Sequence, residues 1–136
     1  MVKFLRLVFV LLPFLGMSQN ELIVEVQGVQ SSNGNINVAV YNKAEGFLKF
    51  EGVYISDSTR AKAGHTQIKI NNLPSGEYAL AVFHDENGNN ILDTNWLGIP
   101  KEPVGFSNSR MKTFGPPSFK ECSFRLSSNQ AVKIIL

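Results

Sequence analysis

Residues 77–83 read Glu-Tyr-Ala-Leu-Ala-Val-Phe, and this stretch is apolar on both faces of an extended chain. Tyr78, Leu80 and Val82 share one face, because successive side chains of a strand point in opposite directions. Alanines and a phenylalanine fill the other face. A strand that is covered on both faces belongs in the middle of a sheet. The pattern therefore predicts a central strand.

Alternation of apolar and polar residues, the period of a half-buried strand, recurs on both sides of this stretch. Clusters of Gly, Asn, Ser and Pro separate the alternating runs, and the chain after residue 18 shows no sustained helical period of 3.6. We therefore predict an all-β fold, an antiparallel two-sheet sandwich with an immunoglobulin-like or transthyretin-like topology. The further predicted strands lie at 21–27, 36–40, 66–70, 122–126 and 132–136, with weaker signals at 47–50 and 52–55.

Residues 1–18 have the order of a secretory signal peptide. Lys3 and Arg6 precede nine apolar or proline residues, and small residues follow before a predicted cleavage between Ser18 and Gln19. The apolar run is about half of the roughly 20 residues that a membrane-spanning helix needs, so no permanent membrane anchor is predicted. We expect an exported protein, periplasmic or extracellular, in which the rest of the chain forms one domain, 19–136.

The charge balance argues against nucleic acid as a partner. The chain has 13 basic and 11 acidic residues, and two of the basic ones lie in the predicted leader, so the remainder is close to neutral. A nucleic-acid-binding surface would need a clear excess of basic residues. A single cysteine, Cys122, allows no internal disulfide, and the domain must be held together by its core.

The longest stretch without alternation runs from 84 to 117 and covers 34 residues. Loops longer than about 12–15 residues are uncommon in compact domains and are usually functional or disordered. This stretch has too many large apolar residues for a solvated linker, so we expect one long ordered loop that packs on an end of the sandwich and carries any functional site. Those residues are Trp96, Leu97, Ile99, Val104, Phe106 and Phe114.

The start of this loop has the ligand spacing of a calcium-binding loop. Asp85, Asn87, Asn89 and Asp93 occupy relative positions 1, 3, 5 and 9, and Ile91 at position 7 offers its backbone carbonyl. Alternate residues of a tightly coiled loop point inward at a hard cation, which takes six to eight oxygen ligands. An all-oxygen set without thiolates favours calcium over zinc.

Two positions depart from the EF-hand pattern. Asn90 stands where position 6 is glycine, and Trp96 stands where position 12 is a bidentate glutamate. Glu86, Glu102 or a backbone carbonyl would have to complete the ligand set. The alternative is that residues 87–90 form a turn whose carboxylates cap backbone N–H groups.

A catalytic alternative uses His84, Asp85 and Glu102 as the residues of a small hydrolase, with His84 as general base. In the competing interpretation His84 is a hydrogen-bonded residue at the rim of the sheet. The sequence contains no G-x-S-x-G motif, no Walker loop and no zinc-type Cys/His cluster. These observations favour a non-catalytic protein.

Aromatic residues of the loop suggest a third function. Trp96 and Phe106 are of the type that stacks on sugar rings or apolar ligands, which would make the protein a carbohydrate-binding or cell-envelope accessory module. In the alternative, the two side chains form a small core that fixes the loop.

Four segments of the chain carry a family resemblance: 78–89 (YALAVFHDENGN), 92–95 (LDTN), 97–103 (LGIPKEP) and 105–108 (GFSN). They resemble a bacterial exported family of unknown function, the domain numbered 2141. The resemblance implies a small exported β-sandwich without an assigned reaction, and it supplies no catalytic residues. Asn90 stands where the family's loop is expected to carry glycine.

Overall fold

The structure is a computed structural model and describes residues 19–136. The predicted signal peptide at 1–18 lies outside the described residues. Within the described part, eight strands and one short helix follow each other in the order β1 (Gln19–Val29), β2 (Asn35–Tyr41), β3 (Ile55–Arg60), β4 (Gly64–Pro74), β5 (Gly76–Asp85), β6 (Val104–Phe106), α1 (Phe119–Cys122), β7 (Phe124–Leu126) and β8 (Gln130–Ile135). A single 3-10 turn, Phe50–Gly52, precedes β3.

The strands form two sheets that pack against each other. The first sheet has the strand order β4-β1-β8, and the second has the order β3-β2-β5-β6, with β7 also pairing with β5. This arrangement confirms the predicted all-β sandwich. One pair departs from an antiparallel sandwich, because β1 and β8 run parallel to each other.

Strand β5 occupies the centre of the second sheet, as its two apolar faces predict. It pairs with β2 on one side and with both β6 and β7 on the other. The inner face of β5 joins the main core, where Leu80 is fully buried. The outer face is covered as well, since Ala79 is also fully buried.

The main core lies between the two sheets and is built by the inward-facing side chains of the strands. Each such aliphatic side chain stabilises the fold by about 1.5–3 kcal/mol through removal of apolar surface from water. The fully or almost fully buried members include Leu22, Val24, Val26, Ile36, Val38, Val40, Ile68, Ile70, Leu73, Leu80, Val82, Leu126 and Ile134.

A second, smaller core covers the outer face of β5. Phe106 and Cys122 bury Ala79 there, and partly buried side chains pack around them. Phe47 joins this group through edge-to-face contacts with the rings of Tyr41 and Phe119, at centroid distances of 5.0 and 5.7 Å. Edge-to-face packing is a preferred geometry of aromatic pairs.

Two predicted strand regions differ from the structure. The weak signals at 47–50 and 52–55 correspond to turns and the 3-10 turn, and the strand that follows begins at Ile55. The alternation predicted a strand from Cys122, but Cys122 ends α1 and only Phe124–Leu126 is extended. A capping box explains the helical turn: Ser118 accepts a hydrogen bond from the backbone of Glu121, whose side chain accepts one from the backbone of Ser118.

The stretch 84–117 begins with the last two residues of β5 and contains one further short strand, β6. The rest is irregular chain with turns, bends and isolated β-bridges. The expectation that its large apolar side chains pack on the sandwich is wrong for several of them. Trp96 is 91% exposed and Phe114 is 100% exposed. In the described part of the chain, no helix is long and apolar enough to span a membrane.

Candidate functional site

The candidate site is a polar loop that begins where the central strand ends. His84 and Asp85, the last two residues of β5, are both fully buried. The register of the second sheet places Asp85 beside Asn35, the first residue of β2. The site is therefore anchored on the most deeply packed strand of the molecule.

The Asp85 carboxylate closes the first half of the loop. Its two oxygens accept hydrogen bonds from the backbone N–H groups of Asn89, at 3.2 Å, and Asn90, at 2.7 Å. Asn90 adopts a left-handed conformation with φ of 61°, which asparagine tolerates better than most residues. Asn90 therefore has the left-handed backbone conformation that glycine favours, and it stands at the position that is glycine in an EF-hand loop.

Two further predicted ligand residues, Asn87 and Asn89, converge on a third, Asp93. The side-chain amide of Asn87 donates to Asp93 Oδ2 at 2.6 Å, and that of Asn89 donates to Oδ1 at 3.0 Å. These hydrogen bonds, first from Asn89 and then from Asn87, lower the pKa of Asp93 below its ordinary value. Asn89 also accepts the backbone N–H of Ile91.

Glu102 joins the two ends of the loop. Its carboxylate accepts the backbone N–H of Glu86 and the backbone N–H of Asp93, each at 2.9 Å. Both carboxylate oxygens are therefore engaged with backbone groups. The Asp93 carbonyl in turn accepts the N–H of Lys101 at 2.7 Å. Glu102 thus acts as a clamp across the base of the loop.

An open cleft of about 470 Å³ lies beside this loop. It is lined by Glu86, Asn87, Asp93, Thr94, Lys101 and Glu102. Of the predicted ligand residues, Asn87 and Asp93 line the cleft, whereas Asp85 is buried beneath the loop. Among residues 19–136, no group of three His, Cys, Asp or Glu side chains is placed to hold a metal ion.

Gly34 allows the loop to approach the sandwich closely. A Cβ at this position would overlap the carbonyl oxygen of Asp85, and Gly34 has φ of 66°. The backbone of the strand end and that of the turn before β2 therefore touch at a point where no side chain fits.

His84 does not have the environment of a general base. Its Nε2–H donates to the Asn33 carbonyl at 2.7 Å, and its Nδ1 lies 3.8 Å from the Glu86 carboxylate, too far for a hydrogen bond. Nδ1 is buried without a hydrogen-bond partner in the described structure. No hydrogen bond within 19–136 joins His84 to the side chain of Asp85 or Glu102. The His84 backbone N–H donates to the carbonyl of Pro103, next to Glu102, but the three side chains of the catalytic alternative do not form a proton relay.

Residues 96–99 form an exposed turn that we name the apolar tip. Asn95 builds it: its side-chain Oδ1 accepts the N–H groups of Leu97 and Ile99, at 2.9 and 3.0 Å. Its backbone pairs with Ile99 and Gly98, both at 2.9 Å. The side chains of the tip point into solvent, with exposed fractions of 91% for Trp96, 61% for Leu97 and 55% for Ile99.

The structure separates the two aromatic residues that the sequence paired as ligand-binding candidates. Trp96 lies at the apolar tip, but Phe106 is only 6% exposed and belongs to the second core. The prediction that Phe106 stacks on a sugar is therefore wrong. β6 pairs with β5, and the Phe106 side chain covers Ala79 in the second core.

The buried thiol has the properties of a structural residue. Burial, with a smaller contribution from Glu121, raises the pKa of Cys122 to about 11. The thiol is therefore protonated at neutral pH, and the thiolate is the nucleophilic form.

Sequence reasoning missed two residues that shape this region, Asn95 and Gly34. The Asn95–Gly98 spacing is a turn signal of the kind in which asparagine accepts backbone N–H groups two residues ahead. Gly34 lies in one of the Gly/Asn/Ser clusters that separate the predicted strands, but its contact with Asp85 depends on strand pairing that the sequence does not show.

The fold and the loop together define a small β-sandwich domain with a polar loop at the end of its central strand. The family model for uncharacterized proteins conserved in bacteria (DUF2141) matches residues 24–134, and the chain belongs to this family. The match confirms the resemblance seen in the sequence. Searches among curated proteins and among solved structures gave no match.

Proposed function

We propose that the protein is an exported, non-catalytic binding module in which the loop 85–93 takes up a calcium ion. The observation that carries this proposal is the convergence of Asn87 and Asn89 on the Asp93 carboxylate, at 2.6 and 3.0 Å. These contacts keep the side chains with ligand spacing around one carboxylate, and this proximity supports the proposal.

The donor chemistry of the loop suits calcium. Calcium binds carboxylate, amide and backbone carbonyl oxygens and tolerates irregular geometry. Asp85 and Asp93 would supply carboxylates, and Ile91 its carbonyl. Asn87 and Asn89 would supply amide oxygens once their side-chain amides, whose N–H groups face Asp93 in this structure, turn toward the ion. Asp85 is fully buried beneath the loop and already accepts two N–H groups, but a carboxylate has about four acceptor positions, so it would bind an ion from the inner side of the loop.

The ion would stiffen the segment that presents the apolar tip. Asp93 is bonded through its backbone to Lys101, and the adjacent Thr94 forms a bridge with Pro100 at the base of the tip. A cation held by Asp93 therefore fixes the point from which Trp96 projects. We propose that Trp96 contacts a glycan or another cell-envelope component.

Calorimetric titration of calcium into the metal-stripped protein tests the metal site, together with thermal melts in calcium and in chelator. At calcium concentrations about 100 times Kd, selective binding to the folded state adds about 2.7 kcal/mol. For a domain of this size the melting temperature should then rise by roughly 10 °C.

Matched variants make the test specific. Asp93→Asn keeps the shape of the side chain and removes one negative charge, and should weaken calcium binding by about tenfold or more. Asp57→Asn makes the same charge change at an exposed position of β3 and should leave binding unaltered. Absence of binding heat, or equal affinities of the two variants, would contradict the calcium site.

Fluorescence titration with envelope glycans tests the tip. Trp96 is the single tryptophan of the chain, so a change in emission has one origin. Quenching or a blue shift that disappears in Leu97→Ala, but persists in the distant control Phe50→Ala, would support the tip as the contact surface. Unchanged emission with a broad glycan panel would argue against a sugar partner.

A further inference from the structure

We propose a second binding site, independent of the calcium loop, for a ligand with clustered phosphoryl groups. It is an open cleft of about 470 Å³ where the two sheets meet along β3 and β4. The residues that line it are Ile23, Thr59, Arg60, Lys62, His65, Thr66, Gln67 and Lys69.

The backbone around the cleft is fixed by hydrogen bonds. β3 is an edge strand of the second sheet, and β4 is an edge strand of the first. Between them, the buried Thr66 hydroxyl bonds to both the N–H and the carbonyl of Lys62, each at 2.9 Å. The Ala63 N–H donates to the Ser32 hydroxyl at 2.9 Å. The turn that carries Lys62 is therefore held at two points.

The charged residues that line the cleft are all basic. Three permanent cations, Arg60, Lys62 and Lys69, line it together with the imidazole of His65, and no lining residue is acidic. The segment 58–76, which supplies most of this lining, contains no aspartate or glutamate. This local excess contrasts with the nearly neutral charge of the chain as a whole.

Little of this positive charge is neutralised within the protein. Lys69 lies 3.7 Å from the Glu21 carboxylate, and both side chains are substantially exposed, so the pair contributes little. Glu25 faces Gln67 in the strand register, two residues along β4 from both His65 and Lys69. In the described residues, no carboxylate lies within 4.0 Å of Arg60 or Lys62.

This combination fits a ligand with two or more phosphoryl groups, whose several negative charges match the three cations. The guanidinium of Arg60 can donate two parallel hydrogen bonds to one phosphate, while lysines act as mobile point charges for a second. The cleft volume lies in the range of small-ligand sites, about 300–1,000 Å³. Free phosphates and lipid headgroups share this chemistry.

The competing explanation is protection of the sheet edges. Lysines on edge strands prevent strand-to-strand aggregation, and such residues need no ligand. That explanation predicts no saturable binding, which makes the two alternatives separable by experiment.

The test uses inorganic pyrophosphate in a calorimetric titration and, in a second arm, sedimentation with phosphatidylglycerol vesicles against phosphatidylcholine vesicles. The triple variant Arg60→Gln, Lys62→Gln, Lys69→Gln should bind at least about tenfold more weakly. The control variant Arg125→Gln, Lys43→Gln, Lys49→Gln removes the same charge at exposed positions elsewhere and should retain affinity. Arg60→Lys keeps the charge and should still lose affinity, because bidentate donation is lost.

Each outcome decides one point. Pyrophosphate binding that the cleft variant loses supports a free phosphate ligand, and binding to anionic vesicles alone supports a lipid headgroup. No binding in either arm, or equal losses in the two triple variants, overturns the site. Thermal melts confirm that each variant is folded. Because the cleft shares no residue with the calcium loop, this result and the calcium titration fail or succeed separately.

Discussion

The interior of the sandwich and the segment 86–103 are held together by different forces. In the sandwich, aliphatic side chains of two sheets exclude water from a continuous core. In the segment, large apolar residues lie in solvent, while carboxylates and amides bind backbone N–H groups. The sandwich is stabilised by burial of apolar surface area. The conformation of the segment is fixed by a few hydrogen bonds.

This difference teaches where single substitutions act. Loss of a side chain from the main core destabilises the whole domain, because strands of both sheets contribute to this packed interior. Loss of a polar contact in 86–103 should loosen that segment first, since local opening can occur far below the free energy of global unfolding.

Leu80→Ala should have the largest effect. The side chain is fully buried in the central strand, and truncation of such a leucine costs about 2–5 kcal/mol. Leu97→Ala makes the same change at the apolar tip, where the side chain is 61% exposed, and should cost less than about 0.5 kcal/mol. Urea unfolding measures both, and similar losses for the two variants would refute the contrast.

Asp85→Ala should follow, with a loss of about 1–3 kcal/mol, because the backbone N–H groups of Asn89 and Asn90 lose their acceptor. Asp85→Asn should cost less, since one acceptor oxygen remains. Denaturant unfolding gives the values, and Asp57→Ala on an exposed strand position is the control. An Asp85→Ala variant as stable as the control would show that the loop does not depend on this carboxylate.

Glu102→Gln should act locally. An amide can accept from only one of the two N–H groups that Glu102 binds, at Glu86 and Asp93. Hydrogen exchange at one or both of these amides should accelerate by about tenfold or more, while the free energy of unfolding changes by less than about 1 kcal/mol. Unchanged exchange at both positions would speak against the clamp.

Glu121 should give a small, pH-dependent contribution. Hydrogen bonds from Lys112 and from the Ser118 backbone hold its pKa below the usual 4.5. Because the folded-state pKa is the lower one, this stabilisation is present above pH 4.5 and is lost as pH falls through the folded-state value. The difference in melting temperature between wild type and Glu121→Gln should therefore shrink on acidification; a constant difference would rule out this linkage.

Trp96→Ala should have the smallest effect on stability, within about 0.5 kcal/mol, because the indole is 91% exposed. In the free protein, Trp96 should emit as a solvated tryptophan. A destabilisation comparable to that of Leu80→Ala would mean that the indole packs on the sandwich, and the contrast between the two regions would then fail.

Alternation of apolar and polar residues was enough to predict the long strands with one apolar face. The run of apolar residues on both faces was enough to predict β5. Alternation failed where few large apolar side chains are present: β3 reads Ile-Ser-Asp-Ser-Thr-Arg, an edge strand whose pairing with β2 depends on backbone contacts. It also failed at Cys122, where the Ser118–Glu121 capping box, itself visible in the sequence, outweighs the alternation.

The sequence indicates which polar residues belong to the candidate site, but not the hydrogen bonds between them. Spacing alone predicts Asp85, Asn87, Asn89 and Asp93 as oxygen ligands. In the structure these residues lie in one loop, where Asp85 and Asp93 accept N–H groups as the alternative of a capped turn predicts. The clamp by Glu102 spans 16 residues of irregular chain and has no periodic signal. Composition likewise could not separate the exposed Trp96 from the buried Phe106, because burial there depends on pairing of β6 with β5.

The pairing of β1 has a consequence for the order in which the chain folds. Leu22 pairs with Ile70 on one side and with Gln130, 108 residues away, on the other. Closing such distant contacts is slow, and folds dominated by them typically need milliseconds to seconds. During that interval an apolar strand with two open edges is available for aggregation. A chaperone that covers β1 until β8 pairs with it would raise the yield of native protein without changing the free energy of unfolding.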